Sequence, residues 1–175
     1  NCHANREDFK KTNHAQAWPK ENGIPFEKSC ETCHGPGAKH AEAAGDKSNP
    51  GFATIRNLRK LSAKESAAVC LDCHANKGKQ ALWEGSVHQT RGLSCTDCHS
   101  IHSGHDKNLA KATQPETCAQ CHKQVLADLR KTSRHPIKAG KIGCADCHNP
   151  HGTVTAKLIS ANSVNDKCYE CHAEK

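Results

Sequence analysis

Apolar positions along this chain come singly or in short groups, and few repeat with the period of a regular element. The clearest helical stretch follows Cys118. There Val125, Leu126 and Leu129 fall on one face and predict a helix running from Cys118 towards Arg134. Other helix starts are marked by polar residues. Ser62-Ala63-Lys64-Glu65, Thr113-Gln114-Pro115-Glu116 and Ser163-Val164-Asn165-Asp166 each set a hydroxyl three positions before an acid. That spacing is a capping box, and it predicts short helices over Cys70, Cys118 and Cys168. Gly92-Leu93-Ser94 before Cys95 and Lys141-Ile142-Gly143 before Cys144 predict irregular or extended entries. Gly35-Pro36-Gly37 and Asn49-Pro50-Gly51 mark turns. No pattern predicts a strand, and no stretch approaches the length of a transmembrane helix.

Composition sharpens this picture. Only 35% of the 175 residues are hydrophobic, 3% are aromatic, and the mean hydropathy is −0.80. So polar a chain cannot bury enough apolar side chain to fold alone. Something other than side chains has to supply the core.

The candidate is written in the cysteines. Cys-x-x-Cys-His occurs six times, at Cys30–His34, Cys70–His74, Cys95–His99, Cys118–His122, Cys144–His148 and Cys168–His172, and Asn1-Cys2-His3 reads as the tail of a seventh. This is the signature of covalent c-type haem attachment. Two cysteines three positions apart share one face of a helical turn. Their sulfurs can reach both vinyl groups of one porphyrin, and the adjacent imidazole meets the iron from the same side. Zinc knuckles, iron–sulfur clusters or a disulfide scaffold would use the cysteines but leave the histidines idle. The cofactor-binding residues are therefore Cys2, Cys30, Cys33, Cys70, Cys73, Cys95, Cys98, Cys118, Cys121, Cys144, Cys147, Cys168 and Cys171. About seven covalent haems would supply the missing core, and a haem-free chain should be largely disordered.

Histidine gives the second half of the site. Seven of the 14 complete motifs: His3, His34, His74, His99, His122, His148 and His172. Seven remain: His14, His40, His88, His102, His105, His135 and His151. Methionine is absent. Seven spare imidazoles for seven irons predict bis-histidine ligation throughout. His105 is the weakest of them, because His102 lies three residues away.

The chain also repeats. From Cys70 and from Cys118, the same order follows: a spare histidine (His88, His135), a second motif (Cys95, Cys144), then another spare histidine (His102, His151). This predicts dihaem modules over residues 1–69, with a long insertion, over 70–117 and over 118–167. Residues 168–175 would open a further module. His102 lies three residues beyond His99, and His151 three beyond His148. Three residues reach about 10 Å, too short to carry a second ligand around a porphyrin edge. His102 and His151 are therefore expected to serve a neighbouring haem.

The formal charge is +7. A basic chain suggests nucleic acid or an anionic membrane. Here haem propionates absorb that charge, and aromatic interleaving for base stacking is missing. Counting propionates and ferric irons puts the oxidised protein near neutrality and the reduced protein net negative.

Several segments resemble the periplasmic decahaem electron-conduit cytochromes of the MtrA/DmsE type. They are Cys30-Glu31-Thr32-Cys33-His34-Gly35-Pro36-Gly37-Ala38-Lys39-His40, Trp83-Glu84-Gly85-Ser86-Val87-His88 and Ser133-Arg134-His135-Pro136. Cys144-Ala145-Asp146-Cys147-His148-Asn149-Pro150-His151-Gly152 and the stretch from Asn165 to Lys175 are similar too. The family carries ten haems, and this sequence would correspond to the first seven sites. The resemblance implies an elongated multihaem cytochrome c fold, loop-rich with a few short α-helices, essentially no β-sheet, and haems as the core. It implies a periplasmic protein that inserts in an outer-membrane β-barrel complex. Its partners would be redox donors and acceptors, among them an extracellular multihaem cytochrome.

The reading that follows is electron transfer rather than catalysis, since two protein ligands per iron leave no open position for substrate. A multihaem reductase of nitrite or hydroxylamine type would need one open haem with acid–base groups beside it. A haem filament or electron store is the third reading.

Overall fold

A computed structural model of the chain describes residues 7–173. Cys2 and His3 lie outside the described residues. The rest is a succession of short helices joined by turns. They are α1 (Glu7–Lys10), α2 (Asn13–Asn22), α3 (Phe26–His34), α4 (Ala38–Glu42), α5 (Ala63–His74), α6 (Val87–Thr90), α7 (Cys95–Cys98), α8 (Gln114–Cys118), α9 (Lys123–Asp128), α10 (Cys144–Cys147) and α11 (Val164–Tyr169). Among the described residues there is no strand. One isolated bridge pairs His148 with Ile159. The loop-rich fold with few short helices and no sheet is the one expected.

Local chemistry explains where helices begin. Thr12 Oγ1 accepts the Ala15 N–H at 3.2 Å and opens α2, which Gly23 closes in the left-handed region at φ 62°. At α5 the predicted capping box is complete: Ser62 N and Oγ donate to Glu65 Oε2 at 2.9 and 2.6 Å. Ser163 Oγ accepts the Asp166 N–H at 3.1 Å and opens α11.

Two expectations need correction. Thr113 is no cap. It is already helical at φ −101°, ψ −13°, and its hydroxyl donates to the Lys107 and Ala110 carbonyls. The predicted helix from Cys118 towards Arg134 is two helices, α8 and α9, broken at His122 with φ −89°, ψ 56°. There Val125, Leu126 and Leu129 line a depression with Cys118, His122 and Cys144. The apolar face thus points at the motifs and not at another helix. The entries to Cys95 and Cys144 are extended, as expected, with Ser94 at φ −119°, ψ 173° and Gly143 at φ −104°, ψ 166°, and each leads into a single helical turn. Acids inside the motifs do the capping: Ser94 N donates to Asp97 Oδ2 at 2.7 Å, and Gly143 N to Asp146 Oδ2 at 2.8 Å.

The chain forms two compact units. The first runs through Cys70 and takes in Ser100–Asp106. In it α1 packs on α2, α2 on α3, and α4 on the 3-10 turn Pro50–Thr54. The second comprises Leu71–His99 and the chain from Lys107 onward, where α8 packs on α10. Gln114, buried at the start of α8, makes that junction: its Nε2 donates to the Asn108 carbonyl and its Oε1 accepts the Ala145 N–H at 3.0 Å. A Cβ on Gly143 would sit 2.5 Å from that Oε1, so a side chain there would displace Gln114 from the junction.

The protein-only core is small. The buried apolar side chains are Ala15, Ala43, Leu58, Ala67 and Trp83. The accessible surface is 12621 Å², against about 8400 Å² for a compact protein of this mass. Side chains alone leave this fold under-packed, as composition predicts.

Candidate haem-binding site

Every fully described motif outside α3 and α5 closes one helical turn in the same way. The histidine N–H donates to the carbonyl of the first cysteine: His99 to Cys95 at 2.8 Å, His122 to Cys118 at 3.0 Å, His148 to Cys144 at 3.0 Å and His172 to Cys168 at 2.9 Å. In α3 and α5 the motif forms the last turn of the helix itself. The turn puts both sulfurs and the imidazole on one side, as attachment to a single porphyrin requires.

The second feature is how the rings are held. Nδ1 of His34 lies 2.8 Å from the Arg56 carbonyl, His40 Nδ1 2.6 Å from Phe52 O, His88 Nδ1 2.8 Å from Pro150 O, and His148 Nδ1 2.9 Å from Lys157 O. A carbonyl only accepts. Each Nδ1 therefore carries the proton, and each Nε2 presents a lone pair. Metal-ligating histidines are oriented in this way.

Third, the rings come in facing pairs. His34 and His102 have centroids 5.8 Å apart with planes at 11°. His99 and His151 are 6.0 Å apart, also at 11°. His88 and His122 are 6.1 Å apart at 76°, and His135 and His172 are 6.4 Å apart at 46°. Each pair joins one motif histidine to one spare histidine. Two metal–imidazole bonds of about 2 Å each, with the rings' own half-widths, place centroids about 6 Å apart. His102 stands against His34 and not His99, and His151 against His99 and not His148.

The remaining predicted residues are placed as follows. His14 lies 6.3 Å from Trp18, and His40 lies 5.1 Å from Phe52. His74 ends α5. The His105 amide donates to Ser103 Oγ, and its ring stands in none of the four pairs. Cys30, Cys70, Cys95, Cys118 and Cys144 are half-buried, whereas Cys73, Cys98 and Cys121 are exposed. Sγ of Cys118 and of Cys144 are hydrogen-bonded; as thiols, that contact favours the Cys144 thiolate and holds Cys118 protonated.

Burial, reinforced by His99 and Lys79, pulls His151 down to about 4. Partial burial beside His34 and Arg59 lowers His102. Both imidazoles are thereby kept neutral, the form that ligates.

These residues fit haem. Among the described residues no three of His, Cys, Asp or Glu converge as a protein-only metal site needs, and the described cysteines form no disulfide with one another. The buried indole N–H groups of Trp18 and Trp83 have no protein acceptor. They lie beside His14 and His151, where a propionate would satisfy them.

Residues 30–111 match a family described as cytochrome c-type protein NrfB-like, and residues 135–175 a family described as the doubled CXXCH motif. The chain belongs to the multihaem c-type cytochromes and carries covalently bound haem c. It is similar to the multiheme cytochrome MtrA of Shewanella baltica, with 40% identity over 146 residues, covering 83% of this chain and 42% of that protein. It is also similar to a high-molecular-weight cytochrome c of Nitratidesulfovibrio vulgaris, with 25% identity covering 81% of this chain and 32% of the other. The chain thus spans less than half the length of either relative.

Sequence reasoning missed three residues that shape the site. Asn149 accepts from His151. Phe9 packs edge-on against His102 at 5.8 Å. Gln114 joins the Cys118 and Cys144 motifs. Only Asn149 left a visible signal, lying between a motif histidine and a spare one.

Proposed function

We propose that this chain is a length of haem conduit, moving electrons along about seven bis-histidine haems. The single observation that carries it is the set of four facing ring pairs at 5.8–6.4 Å, each made of one motif and one spare histidine. On this reading His34 with His102, His99 with His151, His88 with His122, and His135 with His172 would hold four haem irons. When bound, haem supplies a one-electron ferric/ferrous couple. With both imidazoles of a pair engaged, no position would be left on the iron for substrate. Carbonyls accepting from Nδ1 make the imidazoles richer donors and hold the ferric state. Cys118 and Cys144, in contact with each other, would hold two attached haems close together.

The resemblance to MtrA-type cytochromes extends the proposal. The conduit is periplasmic, works with an outer-membrane β-barrel and exchanges electrons with redox proteins on either side. No helix among the described residues is long and apolar enough to cross a membrane. Protein-film voltammetry tests the function. A conduit gives reversible waves over a broad low-potential window and no catalytic current with nitrite or hydroxylamine. A sustained catalytic current with either overturns the reading in favour of a reductase.

A further inference from the structure

Asn149 has every polar side-chain atom engaged. Its Nδ2 donates to the Lys79 carbonyl at 2.9 Å and to the Gly152 carbonyl at 2.8 Å. Two accepting carbonyls fix which end of the amide is nitrogen, so Oδ1 must face the other way. There it lies 3.2 Å from His151 Nδ1 and accepts the His151 backbone N–H at 3.2 Å. Oδ1 only accepts, so His151 Nδ1 carries the proton and Nε2 keeps its lone pair. The turn itself is locked. Gly152 has φ +132°, and a Cβ on it would come within 2.0 Å of the Leu82 carbonyl. The next residue in the turn, Pro150, gives its carbonyl to His88 Nδ1 at 2.8 Å.

We propose that Asn149 is a positioning residue for His151, setting the ring's tautomer and its near-parallel alignment with His99, and that the same turn orients His88. The proposal rests on the ring-pair reading above. One turn thereby governs the spare ligands of two irons whose ring pairs differ, one at 11° and one at 76°. Near-parallel axial imidazoles give a rhombic low-spin ferric signal. Nearly perpendicular ones leave two d-orbitals close in energy and give a single feature of larger anisotropy. The plane angle is one of the ligand properties through which a protein tunes haem iron.

The test uses the haem-loaded protein with Asn149→Leu and Asn149→Asp, read by low-temperature EPR and by potentiometric titration. Asn149→Leu removes the acceptor. The intensity of one haem should leave the rhombic signal, and one midpoint should rise because the imidazole becomes a poorer donor. Asn149→Asp places a full charge on Nδ1–H, and one midpoint should fall. A role in folding alone moves both variants the same way, so shifts of like sign, or none, overturn the proposal. Should Asn149→Leu fail to load its haems, Asn149→Asp decides: a lowered midpoint supports the proposal, and an unchanged or raised one overturns it. An unmodified protein lacking any near-parallel bis-imidazole signal overturns the ring-pair reading and this proposal with it. Presence of that signal with unchanged variants overturns this proposal alone.

Discussion

Two ring pairs share one geometry and reach it by different means. His34–His102 in the first unit and His99–His151 in the second both lie near 6 Å with planes at 11°. His102 is propped by apolar contact: Phe9 meets its ring edge-on, and Phe9 packs on Phe26 at 5.9 Å. His151 is held by directed hydrogen bonds through Asn149, on a turn locked against Leu82 by Gly152. Apolar props are non-directional and tolerate changes of shape, whereas a hydrogen-bonded amide fixes a plane and a tautomer. The two units differ in the same sense in their cores. Among the described residues, Ala15, Ala43, Leu58 and Ala67 are the buried apolar side chains of the first, and Trp83 is that of the second.

Removing haem is the harshest way to break the comparison. The haem-free chain should show no cooperative thermal transition by circular dichroism. Hydrogen exchange should find what protection survives in α2 and α3 of the first unit and not in the second. Replacing the spare ligands comes next. His102→Met and His151→Met should each raise one midpoint by on the order of 0.1–0.3 V in potentiometry, within the ~0.8 V range that axial ligands command. Gly152→Ala forces both a clash at 2.0 Å and a strained φ. It should cost about 1–3 kcal/mol or more in denaturant unfolding of the loaded protein. Phe9→Ala should cost about 1–2 kcal/mol, less than a fully buried phenylalanine because Phe9 is half-exposed. It should broaden the EPR signal of His34–His102 and leave His99–His151 unchanged. His105→Ala should leave the EPR signals of the His34–His102 and His99–His151 pairs unchanged, since its ring joins neither pair.

The helical turn that each described Cys-x-x-Cys-His motif forms was legible in the sequence, because that motif is local. The helix-opening boxes at Ser62 and Ser163 were legible for the same reason. Thr113 misled because its hydroxyl found carbonyls upstream at Lys107 and Ala110, a tertiary choice no spacing reveals. The helix from Cys118 misled because an apolar stripe reads alike whether it faces another helix or a depression beside the motifs. Chain reach alone argued that His102 would not share an iron with His99, nor His151 with His148. Which motif each spare histidine meets depends on long-range packing. His102 finds His34 only because Ser100–Asp106 folds with the first unit.

The central claim is that spare and motif histidines grip the same irons in the pairs described. Iron anomalous scattering from crystals of the haem-loaded protein tests it most directly. The account predicts an iron midway between His34 and His102, and likewise between His99 and His151, His88 and His122, and His135 and His172. An iron bound by His99 and His102 together, or any of these four with water opposite its motif histidine, would contradict it.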